Sequence, residues 1–107
     1  MNYTKWEIWL AEVMFEETSE VKKRPVLVID DTDFYYVEVA RITSHISRKW
    51  DWFDYEIKEW EKAGLKKPST IRLDRIISMS NNRLIHKIGE LQKEDRWRVQ
   101  IILNRRG

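Results

Sequence analysis

Polar and basic residues flank the second of the strands predicted below, and their types suit phosphate chemistry. Arg24 stands shortly before the run 26–29, and Thr43 ends the next predicted strand. If these strands are neighbours in a sheet, the start of one and the end of the other meet at the same edge. The arginine guanidinium is a rigid fork of N–H donors that matches phosphate oxygens. The spacing therefore indicates a phosphate-binding site, while a surface ion pair of Arg24, for example with Glu20, fits the same residues.

Other familiar chemistries lack their residues in this chain. The three glycines are scattered, which excludes a glycine-rich phosphate loop, and no Gly-x-Ser-x-Gly elbow is present. The chain has no cysteine, which excludes disulfides, thiolate nucleophiles and cysteine–zinc sites. His45 and His86 are too few for a histidine-rich metal centre and lack the His-Glu-x-x-His spacing. A turn is expected at Asp30, Asp31 and Asp33, because the glycine and the distant glutamate of a calcium loop are missing. We therefore expect that the protein uses neither a metal nor a cofactor.

The charges and the tryptophans leave the kind of partner open. Twenty Lys and Arg against eighteen Asp and Glu give a net charge of +2, which is no signature of nucleic-acid binding. Basic clusters occur at 22–24, 48–49, 66–67 and 105–106. Each cluster alone is typical of solvated surface. Among six tryptophans, Trp50 and Trp52 lie in a polar stretch beside Arg48, where an indole either stacks on an unpaired base or packs against the protein.

The size of the chain predicts one domain, covering 1–107. No stretch approaches the roughly 18 consecutive apolar residues that span a bilayer. Residues 1–7 lack the basic start and the apolar run of a signal peptide. Together with the missing cysteines, these features predict a cytoplasmic protein that has no membrane partner.

Alternating and β-branched segments predict about six strands. They are 5–13, 26–29, 35–43, 53–58 and 70–74, with 76–79 continuing the last one or forming another. Residues 15–23 are predicted as a loop, and Pro25 opens the second strand, a position that tolerates proline. Residues 59–63 predict one helical turn, which Gly64 ends in the left-handed conformation.

Two helices are predicted at the end of the chain. The first follows a cap at Ser80, Asn81 or Asn82, and Gly89 is its expected stop. Its apolar residues share one helical face and are Leu84, Ile85, Ile88 and Leu91. The second helix, 93–105, carries apolar residues nearly all round its axis, Trp97 among them. A helix without a single apolar stripe is usually buried on more than one side, so we predict a symmetric homodimer. Six strands followed by helices indicate an α+β domain or a small closed barrel.

Six short motifs occur in order along the chain. They are EIWLA (7–11), SE (19–20), KRPVLVI (23–29), ITS (42–44), PSTIRLD (68–74) and NRLIHKIG (82–89). In this order they resemble the MazF/PemK toxins of type II toxin–antitoxin systems, over roughly residues 6 to 105. The resemblance implies an α+β fold, a small SH3-like β-barrel with C-terminal helices, which forms a homodimer and is bound by a cognate antitoxin.

The resemblance also implies an activity and its residues. The family cleaves single-stranded RNA sequence-specifically and without metal, by attack of the 2′-hydroxyl, leaving a 2′,3′-cyclic phosphate and a 5′-hydroxyl. Its catalytic arginine and threonine match Arg24 and Thr43, and an assisting serine matches Ser19. The implied RNA contacts are Phe15, Glu20, Lys22, Lys23, Pro25, Ser44, His45 and Arg48. His45, two residues after the threonine, has the chemistry of a general base, although the family does not depend on one there.

Two positions depart from the family, and two other functions stay open. Trp6 and Thr18 stand where the family commonly has glycine, which adopts dihedrals that other residues avoid. We therefore expect the loop before Ser19 to be shaped differently, which bears on the recognised RNA sequence. One alternative is a toxin of the same fold that poisons DNA gyrase through its C-terminal helix. The other is a catalytically silent module that grips a peptide with Trp50 and Trp52.

Overall fold

The computed structural model describes residues 2–15, 18–44 and 52–106, and over these ranges one antiparallel sheet carries one helix. The strands are β1 (Glu7–Phe15), β2 (Glu20–Asp30), β3 (Tyr36–Thr43), β4 (Asp54–Glu56), β5 (Thr70–Ser80) and β6 (Leu84–Glu90). A short 3₁₀ helix, Asn81–Arg83, precedes β6, and α1 is Lys93–Arg106. The predicted α+β composition with about six strands is confirmed.

The sheet is open. Its strands lie in the order β4-β5-β3-β2-β1-β6, and every neighbouring pair is antiparallel. A barrel requires ladder hydrogen bonds between the two edge strands, and within the described residues β4 and β6 do not pair. The SH3-like barrel that the resemblance implies is therefore not confirmed. The edge strand β4 has only three residues, which offers little backbone for closure.

Apolar side chains cover both faces of the sheet. On the first face, Leu27 and Ile71 are fully buried and pack with Val99 of α1. On the second face, Val28 and Val39 are fully buried in a separate cluster. Because β2 runs through the middle of the sheet with apolar layers on both sides, its run of β-branched residues is continuous rather than alternating. The predicted buried strand is confirmed.

Residues 84–90 form a strand, so the helix predicted between the cap at 80–82 and Gly89 is wrong. β6 pairs antiparallel with β1, and Ile8 lies opposite Gly89. This pairing supplies ladder partners for the backbone groups on that side of β1, which would otherwise need other partners. The apolar residues of the segment satisfy a helical spacing, but β-branched isoleucines such as Ile88 also favour strands. The open edge of β1 decides between the two structures.

Two glycines allow the turn before Leu65 to touch β6. The N–H of Ala63 donates to the carbonyl oxygen of Glu59 at 3.0 Å, which confirms the predicted helical turn. Gly64 follows with φ of +96°, which confirms the predicted left-handed end. A Cβ on Gly89 would lie 2.0 Å from the carbonyl oxygen of Ala63. Gly89 is therefore no helix stop; it permits two backbones to approach closely.

Helix α1 lies where the second helix was predicted and is held at its start by a buried carboxylate. Asp95 is fully buried. It accepts hydrogen bonds from the hydroxyl of Tyr55 at 2.5 Å and from the N–H groups of Lys58 at 3.1 Å and Glu59 at 2.9 Å. Burial, together with the hydrogen bond to Asp95, raises the pKa of Tyr55. Within the described residues, no helix is long and apolar enough to cross a membrane.

Candidate functional site

The first half of β2 carries the candidate site and is paired on one side only. The ladder with β1 continues to the pair Phe15 and Glu20, so the loop predicted over 15–23 is shorter than expected. β3 joins β2 only from Val26 onward. Pro25 lies inside β2 rather than at its start, and its missing N–H is tolerated because β3 does not pair there. The unpaired side of this half-strand faces a groove.

An open groove of about 950 Å³ lies between the first half of β2, the end of β3, the segment 64–69 and β6. It brings Arg24 and Thr43 into one site, as the strand pattern predicts. Arg24 comes from a strand that pairs with β1, and Thr43 ends β3 opposite Thr70 of β5. The predicted residues in the lining are Phe15, Lys22, Lys23, Arg24, Pro25, Thr43 and Ser44.

The lining of the groove is strongly basic. Its lysines and arginines are Lys22, Lys23, Arg24, Arg41, Lys66, Lys67, Arg72 and Lys87, and His86 joins them. No aspartate or glutamate among the described residues lines it. A cleft lined by one sign of charge concentrates ligands of the opposite sign. The small net charge of the chain therefore hides a local site for a polyanion.

Phe15 organises three of these cations around one aromatic ring. The ring centroid lies 5.2 Å from Nζ of Lys22, 5.8 Å from Cζ of Arg24 and 5.3 Å from Cζ of Arg41. An aromatic ring attracts each cation through its quadrupole, by about 0.5–1 kcal/mol at exposed sites. The ring therefore offsets part of the repulsion among three like charges that come from β2 and β3.

Arg24 makes no ion pair with any described residue. One of its guanidinium nitrogens donates to the backbone oxygen of Lys23 at 2.8 Å. Glu20, the ion-pair partner that the sequence left open, instead lies 4.0 Å from Nζ of Lys22. The guanidinium is exposed and makes no further hydrogen bond to a residue that the structure describes. The geometry therefore leaves Arg24 able to hold a phosphate with two donors.

Among the lysines and arginines of the groove that were not selected from the sequence, three come from strands other than β2. Arg41 lies two residues before Thr43, and Arg72 lies opposite Arg41 across β3 and β5. Nε of Arg72 is 3.0 Å from Oδ1 of the buried Asp54. Lys87 of β6 is held by Glu7 at 3.2 Å. Their signal in the sequence was a charge inside an alternating strand, but it names a site only once the strand order is known.

Several predicted residues lie outside the groove lining. Ser19 and Glu20 lie at the tip of the β1–β2 hairpin and are exposed. Trp52 is 91% exposed but does not line the groove. The predictions for His45, Arg48 and Trp50 fall outside the described residues.

The two departures from the family pattern lie at or beside unusual backbone. Trp6 has φ of +81° and Ser19 has φ of +57°, in the region that glycine adopts most easily. The N–H of Ser19 donates to the carbonyl oxygen of Phe15 at 2.8 Å, which fixes the turn. Among the described residues of the hairpin, the left-handed one is therefore Ser19 rather than Thr18.

The fold and the site define a small sheet protein with a basic groove, and the sequence matches one protein family. The chain matches, over residues 4–105, the family described as PemK-like, MazF-like toxin of type II toxin–antitoxin system. The match spans nearly the whole chain, so this protein belongs to that family, as the sequence motifs indicated. No curated protein matches the chain.

Solved structures share the fold at low sequence identity. The Mycobacterium tuberculosis toxin MazF-mt6 superposes with a TM-score of 0.74 at 20% identity, covering 92% of this chain and 93% of that one. An endoribonuclease in complex with its cognate antitoxin, from a mycobacterial species, gives 0.77 at 12% identity, covering 97% and 93%. A further mycobacterial endoribonuclease gives 0.72 at 14%, covering 98% and 91%. At these identities the likeness concerns the fold.

Proposed function

We propose that this toxin is an endoribonuclease that cleaves single-stranded RNA at the basic groove, sequence-specifically and without a metal ion. The observation that carries the proposal is the convergence of Arg24 and Thr43 in a groove with eight basic residues and no acidic residue among those described. RNA presents both the polyanionic backbone that such a groove attracts and its own nucleophile, the 2′-hydroxyl. The family match and the endoribonucleases among the similar structures support the same activity.

The reaction asks the protein mainly to orient the RNA and to stabilise charge. The 2′-oxygen forms a bond to phosphorus while the bond from phosphorus to the 5′-oxygen breaks, leaving a 2′,3′-cyclic phosphate and a 5′-hydroxyl. The 2′-hydroxyl loses one proton and the 5′-oxygen gains one, so the reaction has no net uptake or release of protons. Arg24 donates to the non-bridging oxygens as their charge grows. Because an arginine stays charged, it is a poor acid, and protons exchange with water or another base.

Thr43 and Ser19 lie at different distances from the proposed reaction site, since Thr43 lines the groove and Ser19 does not. Thr43 lines the same groove as Arg24, and there its hydroxyl would hold the phosphate or the 2′-hydroxyl by a hydrogen bond. Ser19 lies at the hairpin tip and would reach the phosphate only if the hairpin bends towards bound RNA. The remaining predicted contacts, from Phe15 to Ser44 along the lining, would hold the RNA strand.

The proposal includes two protein partners and the cytoplasm as the place of action. One similar endoribonuclease is bound to its cognate antitoxin, which supports an antitoxin partner here. A homodimer is supported by α1, where Trp97 is 64% exposed and Ile101 is only half-buried. Light scattering should give about twice the chain mass of 13.1 kDa at micromolar concentration, and a stable monomer would contradict the dimer. A gyrase-directed toxin would act through α1 and needs no basic groove.

The test is cleavage of a labelled single-stranded RNA by the purified protein, with and without EDTA. Cleavage unaffected by EDTA, with cyclic-phosphate ends, is the expected result. Cut sites mapped on a long RNA should share a short sequence. Loss of activity in EDTA and recovery with magnesium would contradict the proposed chemistry. Inhibition of gyrase by a protein that leaves RNA intact would favour the alternative.

A further inference from the structure

A second hollow of about 450 Å³ adjoins the groove. It lies between the end of β1, the start of β3 and the second half of β5. Arg41 lines both the groove and this hollow, so the two cavities meet at that residue. We call this second site the Arg41 hollow.

The charges of the Arg41 hollow match those of the groove. Three arginines line it, Arg41, Arg75 and Arg83, against one carboxylate, Glu12. Its walls also carry Tyr36, which is 54% exposed. Arginines beside an exposed aromatic ring are the combination that binds the backbone and the bases of single-stranded nucleic acid.

Arg41 lies at the junction and forms no ion pair with any residue that the structure describes. It lies directly opposite Arg72 across β3 and β5, and like charges in that position are destabilising. Arg72 is neutralised by Asp54 at 3.0 Å and Asp74 at 3.8 Å. Arg41 has no carboxylate within ion-pair distance among the described residues and contacts the ring of Phe15 instead. A phosphate between groove and hollow would place a negative charge beside Arg41.

We propose that the Arg41 hollow is a second RNA subsite, in which Arg41 binds a phosphate next to the cleaved one and Tyr36 stacks on a neighbouring base. This inference rests on the proposed cleavage of RNA at the groove. It adds a prediction that cleavage alone does not make: the protein binds a longer strand more tightly than a strand that fills only the groove.

The test compares two RNAs that share a cleavage sequence, one short enough for the groove and one extended past it. Both carry a 2′-O-methyl group at the cleavage position, so that binding is measured by fluorescence anisotropy without turnover. In Arg41→Gln, Arg83→Gln and Tyr36→Ala, the ratio of affinities for the long over the short RNA should fall, by about tenfold for Tyr36→Ala. The salt dependence should drop by about 0.7 of a logarithmic slope for each lost phosphate contact. Arg106→Gln, at the exposed end of α1, is the matched control.

The outcomes distinguish failure of the subsite from failure of the proposed function. A wild-type protein that cleaves RNA, with variants that keep the wild-type affinity ratio, overturns the subsite and leaves the proposed function standing. A wild-type protein that neither binds nor cleaves RNA overturns both. If Tyr36→Ala or Arg83→Gln instead changes the dimerisation constant in light scattering and keeps the affinity ratio, a second copy of the chain covers the hollow and the subsite is refuted.

Discussion

Replacing Arg24 with alanine separates catalysis from a structural role of this side chain. The residue is exposed and belongs to neither buried cluster. Its described contacts are one hydrogen bond to the backbone of Lys23 and one approach to the ring of Phe15. Losing them costs about 1 kcal/mol of stability at most. Lys22 and Arg41 still flank the ring, so the melting temperature should change little.

The catalytic cost should be much larger. Removing one donor from the growing charge of a transition state costs about 3–4 kcal/mol, a rate loss of about 10²–10³-fold. Arg24→Lys should recover little of that rate, because a point charge cannot make the paired contact. The assay is single-turnover cleavage of one RNA at saturating enzyme, with the melting temperature taken on the same preparation. Arg106→Ala, which removes an exposed arginine at the end of α1, should retain the wild-type rate.

Growth gives an independent measurement. Expression of the wild-type protein without an antitoxin should arrest cell growth, and the Arg24→Ala protein should be tolerated at the same level. A folded Arg24→Ala protein that cleaves RNA at nearly the normal rate would refute the catalytic assignment. Arg24 would then be a surface residue that does not act on the phosphate. The alternative of a gyrase-directed toxin would be favoured.

The remaining predictions concern stability and follow from particular contacts. Gly89→Ala should lower the unfolding free energy by roughly 2 kcal/mol or more, because its Cβ meets the oxygen of Ala63 at 2.0 Å. Asp95→Ala should cost roughly 3–5 kcal/mol, since three donors lose their buried acceptor. Ser19→Gly should raise stability by about 0.5 kcal/mol, because φ of +57° strains a residue that has a Cβ. Burial opposes ionisation of Glu7, but hydrogen bonds from Trp9, Thr4 and Lys87 lower its pKa overall. Ionised Glu7 therefore stabilises the folded state fully above the ordinary pKa of 4.5. This stabilisation is lost as the pH falls through the lowered pKa.

Urea unfolding measures all four, and each has an outcome that contradicts it. An unchanged midpoint in Gly89→Ala or Asp95→Ala would show that the backbone contact or the buried carboxylate contributes nothing. Thr18→Gly is the control for Ser19→Gly, because Thr18 has an ordinary φ and its replacement should lower stability. For Glu7, the difference between wild type and Glu7→Gln should shrink from neutral to acid pH, and a constant difference would contradict the pH dependence.

The sequence predicts the meeting of Arg24 and Thr43 in one groove better than it predicts the rest of that groove. Arg24 and Thr43 flank two strands with clear apolar patterns, and consecutive antiparallel strands usually pair, so their convergence needed little more. Arg72 and Lys87 reach the groove because β5 lies beside β3 and β6 beside β1. That order depends on contacts between distant segments, which local periodicity does not contain.

The wrong helix has a similar cause. The isoleucines at 85 and 88 fit either a helical stripe or a strand, since local spacing over seven residues does not separate the two. What selects the strand is the vacant side of β1 together with Gly89, which lets β6 approach the turn at Ala63. Both features belong to the tertiary structure and cannot be seen in the local sequence. The last helix was predictable because its fourteen residues exceed the length of an ordinary strand.

The uneven distribution of charge would also affect how RNA, the proposed substrate, reaches the protein. Eight of the twenty lysines and arginines line the groove, so the rest of the chain carries more acid than base. A strand that approaches from the back is repelled, and one that approaches the groove is drawn in. The charge distribution of the molecule is therefore asymmetric. It would orient the RNA towards the groove before the two molecules touch. Such steering accelerates association and weakens as salt screens it, so dilute buffers should speed capture of RNA more than they slow its release.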